Sequence, residues 1–314
     1  MIRYLSRRVG LSVVVLWLLS VLAFAMVRLI PGDPALAFAN TGSSVESIAA
    51  IRKNLGLDRP LFTQYIDWIH AFVQGNFGTS LTQPVQIMPE IQQRYPLSFQ
   101  LAIMALIIAL LIGVPSGIVA ARRPGSWVDT VVQSSSFLLL SFAPFIIGAL
   151  LVLVNSLTVH WQISGYVPLT EDPVRSVLLL LAPAVSLAIP VAANLCRYTR
   201  VSMIAELEQP YIRTARSKGA SEMRRIFRHA VRNALIPVVT IVGLDLGALI
   251  GGTIVVETVF SLPGMGSLLV GALNTSDYPT IQACVIVIGA TYVVINLAID
   301  LLYPIVDPRV RVSS

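Results

Sequence analysis

Apolar residues gather into six long stretches: Val9–Ile30, Leu97–Ala121, Val131–Leu157, Ser176–Cys196, Pro237–Phe260 and Ile281–Val306. Each meets the length of about 20 mostly apolar residues that a helix needs to cross a bilayer. The pattern predicts an all-α integral membrane fold, one transmembrane domain over residues 1–314 with six transmembrane helices and both termini on one side. Pro115, Pro144, Pro183 and Pro190 fall inside the stretches and are expected as kinks, their freed backbone groups satisfied by neighbouring helices or cavity water. Arg3, Arg7 and Arg8 before the first stretch, with Ala35-Leu36-Ala37 after it, have the form of a secretory signal. The run from Val9 to Val27 exceeds the roughly 7–15 residues of a signal core, so a retained helix is expected.

Two long connections break the apolar rhythm, over 31–96 and 197–236. In the first, Ser44 can cap a short helix ending near Gly56, and Asp58-Arg59-Pro60 is a second start signal. Leu61, Tyr65, Trp68, Ile69 and Phe72 then recur at helical spacing until Gly75. Such an amphipathic helix can rest on its own bundle or the lipid interface, or serve as a platform for an external partner. In the second connection, small residues at Thr214, Ala215, Gly219 and Ala220 allow another protein surface to approach closely among solvated bases, and Gly219 is a natural helix stop.

Charge orients this arrangement. Only 12% of residues are charged while 55% are hydrophobic, yet the net charge is +6. Arg3, Arg7, Arg8, Arg122, Arg123, Arg309 and Arg311 fall on one side, with a dense set from Arg197 to Arg232, whereas the other side mixes Arg52, Lys53, Arg59, Arg94 and Arg175 with acids. By the positive-inside rule both termini and the 197–236 connection are cytoplasmic. Anionic lipid accounts for the basic excess, and nucleic acid is not implied. Cys196 and Cys284 both sit in apolar stretches and offer no disulfide framework.

Catalytic motifs are lacking. Neither lysine is followed by the Ser or Thr of a phosphate-binding loop: Lys53 precedes Asn54 and Lys218 precedes Gly219. His70, His160 and His229 form no zinc-protease pattern, so no catalytic, cofactor or metal site is expected in this chain. Three acids lie in or near the stretches. Asp245 falls roughly 12 Å inside the membrane at 1.5 Å per residue, Glu257 at the opposite edge, and Asp300 towards the inner end of the last stretch. An ionised Asp facing lipid costs on the order of 2.5–3.5 kcal/mol, so these acids are expected at a translocation path or gate, or in ion pairs and caps that fix packing. Gly243, Gly247 and Gly251 form a stripe suited to close helix contact. Trp161, Tyr166 and Tyr278 suit an interfacial belt.

These residues together carry a family resemblance. Arg213-Thr214-Ala215, Gly219 and Ile236-Pro237 resemble the "EAA" loop of ABC-importer permeases, in the variant form of the dipeptide, oligopeptide and nickel group. The similarity extends through Pro31-Gly32-Asp33-Pro34, Leu55-Gly56-Leu57-Asp58-Arg59-Pro60-Leu61, Gly75-Asn76-Phe77-Gly78-Thr79-Ser80, Val255-Val256-Glu257-Thr258-Val259-Phe260, Pro263-Gly264, Asp277-Tyr278-Pro279 and Asp307-Pro308-Arg309. It implies the B-type permease subunit, a type I importer fold and location in a bacterial plasma membrane. The partners it implies are a second, C-type permease forming a heterodimer, ATPase subunits or a fused ATPase carrying the ATP and Mg chemistry, and an extracytoplasmic substrate-binding lipoprotein. On this resemblance the 211–229 segment forms a coupling helix, with Arg213, Thr214, Ala215, Lys218, Gly219 and Ala220 meeting the ATPase. Peptides are the expected cargo, with nickel chelate, glutathione and haem as alternatives. A secondary transporter using Asp245 and Asp300 for proton coupling is the rival mechanism, against which no internal repeat is found.

Overall fold

A computed structural model describes residues 2–29, 58–83 and 85–306. They form α1 (Ile2–Leu29), α2 (Leu61–Val73), α3 (Ile87–Arg122), α4 (Trp127–Leu140), α5 (Pro144–Leu157), α6 (Pro173–Leu207), α7 (Pro210–Ser217), α8 (Glu222–Val259), α9 (Met265–Asn274) and α10 (Tyr278–Val306). Residues Arg225–Ala230 within α8 take a wider π turn. Helices α1, α3, α6, α8 and α10 are long and apolar enough to cross a membrane, and α4 with α5 makes a sixth, bent crossing. Ser44 to Gly56, Pro31–Pro34 and Asp307–Arg309 lie outside the described residues.

The third crossing departs from the expected continuous helix over 131–157. It breaks between Leu140 and Pro144, and the two halves meet at 95°. Pro144 has no N–H to continue the ladder and pushes the residue before it out of the helical region; Ala143 is accordingly extended, with φ −67° and ψ 144°. Pro144 therefore starts α5 rather than kinking one helix. Pro115, Pro183 and Pro190 do lie inside continuous helices.

Both long connections hold more helix than their polarity suggested. Helix α3 begins at Ile87, not Leu97, and its first ten residues extend it by about 15 Å. Helix α6 runs on to Leu207 and α8 already begins at Glu222, so most of 197–236 prolongs the spans. Hydropathy marks where lipid ends, whereas helices continue as long as their propensity and packing allow.

Small residues set the closest packing. A β-carbon at Gly113 would lie 2.5 Å from the Ala192 carbonyl oxygen, and one at Gly117 2.5 Å from that of Cys196. Here α3 meets α6 backbone to backbone, the approach that small residues permit in membrane helices. Leu97, Leu101, Leu180, Leu187, Leu195 and Val256 fill the core around this seam. On α8, Gly243 meets Ile299 and Gly247 meets Tyr292 of α10. Contact along the stripe ends there among the described residues: Gly251 is exposed and none of them approaches its β position within 4 Å, which leaves this glycine open to a surface outside the described residues.

Helix α1 lies along α10, joined by Gln282 Nε2 donating to the Ala23 carbonyl at 3.0 Å. Helix α2 then rests on α1. Tyr65 and Trp68 ring centroids lie 5.5 and 5.6 Å from that of Phe24, and the Tyr65 and Ser20 hydroxyls are 2.7 Å apart. Its apolar face covers the chain's own first span, although Leu61 itself is exposed. Helices α8 and α10 are antiparallel; Arg8 contacts Asp300 of α10 at 2.8 Å, and Arg122 pairs with Glu222 at 3.2 Å at the start of α8. The dense basic set falls around the end of α6, α7 and the start of α8.

Candidate functional site

Helix α7 projects from the basic end between two spans. Pro210 occupies its first turn, where the missing N–H costs nothing. Ile212, 3% exposed, inserts among Ile118, Met203, Ile226 and Ala230. Arg213, Thr214, Arg216, Ser217, Lys218 and Gly219 are exposed, while Ala215 and Ala220 are half-buried. One face is thus bolted to the bundle, and the other is basic and free for a partner.

The helix ends in a Schellman arrangement. Gly219 N–H donates to the Arg216 carbonyl at 3.0 Å and Ala220 N–H to that of Ala215 at 3.1 Å, with Gly219 at φ +80°. This left-handed turn divides the expected 211–229 coupling segment: Pro210–Ser217 is a separate helix, and 222–229 opens α8. None of the described residues lies within 4 Å of a Gly219 β-carbon, so among them the glycine serves backbone conformation rather than close approach. The Tyr211 hydroxyl donates to Glu206, and Asn233 Nδ2 contacts Glu206 Oε1 at 3.2 Å and the Tyr211 oxygen at 3.0 Å. This triangle ties α7 to both neighbouring spans, so a push on α7 reaches α6 and α8 together.

The three acids occupy different surroundings. Asp245 is half-buried on α8, with Asn194 Nδ2 at 3.3 and 3.4 Å from its carboxylate oxygens. Asp300 pairs with Arg8. Glu257 is 0% exposed and so lines no open path. Ser98 Oγ donates to it at 2.6 Å, Gly266 N–H at 2.7 Å and Ser267 N–H at 3.1 Å. Ser98 also accepts from Met265 N–H at 2.8 Å. The carboxylate therefore sits on the orphan donors at the start of α9, the cap-type packing contact that is one of the two roles expected for it.

Two further clamps lay outside the sequence expectations. Arg200 grips Asp129 through Nε at 2.5 Å and Nη2 at 2.6 Å, a bidentate pair joining α4 to α6. Asp277 accepts from Ser80 Oγ at 2.5 Å, Leu81 N–H at 3.1 Å and Thr280 Oγ1 at 2.7 Å. That clamp unites the Gly75–Ser80 and Asp277–Pro279 motifs. Their shared presence in the ordered motif series was the signal available; the Asp129–Arg200 pair gave none, because Arg200 is lost among the other bases.

Residues 113–312 match the family described as the inner membrane component of binding-protein-dependent transport systems, and residues 1–102 match the N-terminal region of such membrane components. The chain belongs to this family. It is similar to a protein of Sinorhizobium fredii named a probable peptide ABC transporter permease, 36% identical over 98% of this chain and 99% of the relative. A Brucella abortus protein named as a peptide transport system permease is 40% identical over 97% and 98%. A glutathione transport system permease of Escherichia coli is 37% identical over 99% of both. The resemblance to ABC-importer permeases is thereby borne out. As a family member the chain is a multi-pass inner-membrane permease that works with ATPase and binding-protein partners.

Proposed function

We propose that this permease carries short peptides inward as one half of a heterodimer with a C-type permease. ATP and Mg are handled entirely by partner ATPases, and this chain is non-catalytic. Both termini and α7 face the cytoplasm, which the gathering of bases at that end supports. The observation that carries the reading is α7: a projecting helix fixed to two spans by Ile212 and the Glu206–Tyr211–Asn233 triangle, with its other face free. Arg213, Thr214, Ala215, Lys218, Gly219 and Ala220 frame the surface that meets the ATPase. Closure of the ATPase pair moves α7 as a rigid body, and α6 and α8 rock the bundle between inward-open and outward-open states.

Asp245, held among the described residues only by Asn194, is the acid that faces the path. Asp300 is neutralised by Arg8 and Glu257 is enclosed, which weighs against a proton-coupled carrier built on these acids. The similarity to a glutathione permease is in keeping with the same cargo class, glutathione being itself a small peptide. Purification with the native partners followed by an ATPase assay tests the reading. Hydrolysis should rise when peptide-loaded binding protein is added. Hydrolysis indifferent to loaded binding protein, with uptake that follows a proton gradient instead, would point to the rival mechanism.

A further inference from the structure

A cavity of about 640 Å³ opens at the end of the bundle opposite α7, between the start of α3, the 158–172 connection and the turn before α9. Its volume lies within the roughly 300–1,000 Å³ range of small-molecule sites. Pro96, Pro168 and Pro263 give it stiff apolar walls, and Arg94, Gln100 and Tyr166 supply the polar groups.

Those polar groups are incompletely matched. Arg94 uses one amino group on Glu90, at 2.9 Å, and guanidinium has five N–H donors. Gln100 is only 9% exposed; its amide nitrogen donates to Ser176 Oγ at 3.0 Å, and its amide oxygen has no hydrogen-bond partner among the described residues. A buried acceptor left unmatched costs about 1–3 kcal/mol; the oxygen is itself closed off, so a ligand donor reaches it once the Gln100 side chain, part of the cavity lining, turns outward. Burial, and after it the charge of Glu171, raises the Tyr166 pKa, which keeps the phenol neutral and able to donate.

We infer that this cavity is an outer binding site for a small peptide, whose terminal carboxylate meets Arg94 and whose amide N–H meets the Gln100 oxygen. The chemistry matches the groups: a planar guanidinium suits a carboxylate, an orphan acceptor suits a peptide N–H, and proline walls accept varied side chains. The inference rests on the peptide reading above. Pro263 in the wall immediately precedes Gly264, which contacts the Glu257 carboxylate, so an occupant touches the turn that joins α8 to α9.

The test uses the complete permease–ATPase complex in nanodiscs, without binding protein, and tritiated Ala-Phe as probe, with Ala-Phe amide as competitor. Ala-Phe should bind, and the amide should compete at least about tenfold more weakly, as loss of a charge-assisted contact implies. Arg94→Gln should weaken Ala-Phe about tenfold and abolish the preference for the free carboxylate. Gln100→Leu should weaken both ligands. Glu90→Gln should leave binding intact or tighten it, because it frees Arg94; equal losses in Glu90→Gln and Arg94→Gln would mean that the pair is merely structural and would overturn the inference. Absence of binding, or an unchanged carboxylate preference in Arg94→Gln, would overturn it too. Wild-type complex that fails to import Ala-Phe with ATP and binding protein refutes the peptide reading itself. Normal import with unaltered variants refutes only this site.

Discussion

Gly264 lies directly against the Glu257 carboxylate: a β-carbon there would sit 2.4 Å from Oε2. The acid is held by the start of α9, and only a residue without a side chain lets the turn close over it. Gly266 is confined as well, its β position 2.3 Å from the Ile254 Cα and 3.0 Å from the same carboxylate.

Gly264→Ala and Gly266→Ala should each destabilise the folded permease by about 1–3 kcal/mol, the usual range for overpacking. Thermal unfolding in detergent checks this. Ser267→Ala, which keeps the backbone N–H that Glu257 uses, should shift the midpoint far less.

The Asp129–Arg200 pair makes a second stability prediction. Asp129→Ala leaves Arg200 without its carboxylate and should cost about 3 kcal/mol, at the low end for breaking a buried pair because Arg200 keeps some contact with solvent. Replacing both, as Asp129→Ala with Arg200→Met, should cost less than the two single losses added together. Additive losses in the thermal midpoint would show that the pair is not coupled.

Much of this molecule is legible along the chain, and the limits have physical causes. The spans are readable because bilayer crossing demands long apolar runs, and the Leu61–Val73 helix because its face repeats at helical spacing. Pro144 was visible as a breaker, but the 95° turn depends on packing around it. The start of α3 stayed hidden because Glu90, Gln93 and Arg94 look like loop outside the lipid. Glu257 was visible as an acid near a membrane edge; its donors Ser98, Gly266 and Ser267 come together only when α3, α8 and α9 pack. The small-residue stripe at Gly243, Gly247 and Gly251 drew attention by its regularity. The tighter seam at Gly113 and Gly117 differs from it in meeting backbone rather than side chains.

That difference predicts opposite outcomes for the same substitution. Gly117→Val should abolish folded protein, since its β-carbon has no room against Cys196. Gly251→Val meets open space among the described residues and should leave the isolated permease as stable as wild type. Yield and monodispersity after purification distinguish the two.

Gly219 separates backbone geometry from side-chain space. Gly219→Asn, which tolerates the left-handed turn, should retain most coupled import. Gly219→Val should lose it, because a β-branched residue strains that turn by about 1–2 kcal/mol. Gly219→Arg adds bulk on the exposed face and should likewise uncouple hydrolysis from import. Equal import by all three would remove Gly219 from the coupling surface.

Peptide imported per ATP hydrolysed, in proteoliposomes holding the complete transporter, tests the role of α7 most directly. With Ile212→Asp, which unbolts α7 from Ile118, Met203 and Ile226 while leaving its outer face unchanged, hydrolysis should continue and import per ATP should fall at least about tenfold. An unchanged ratio in that variant, or wild-type import that persists without the ATPases, would contradict the account.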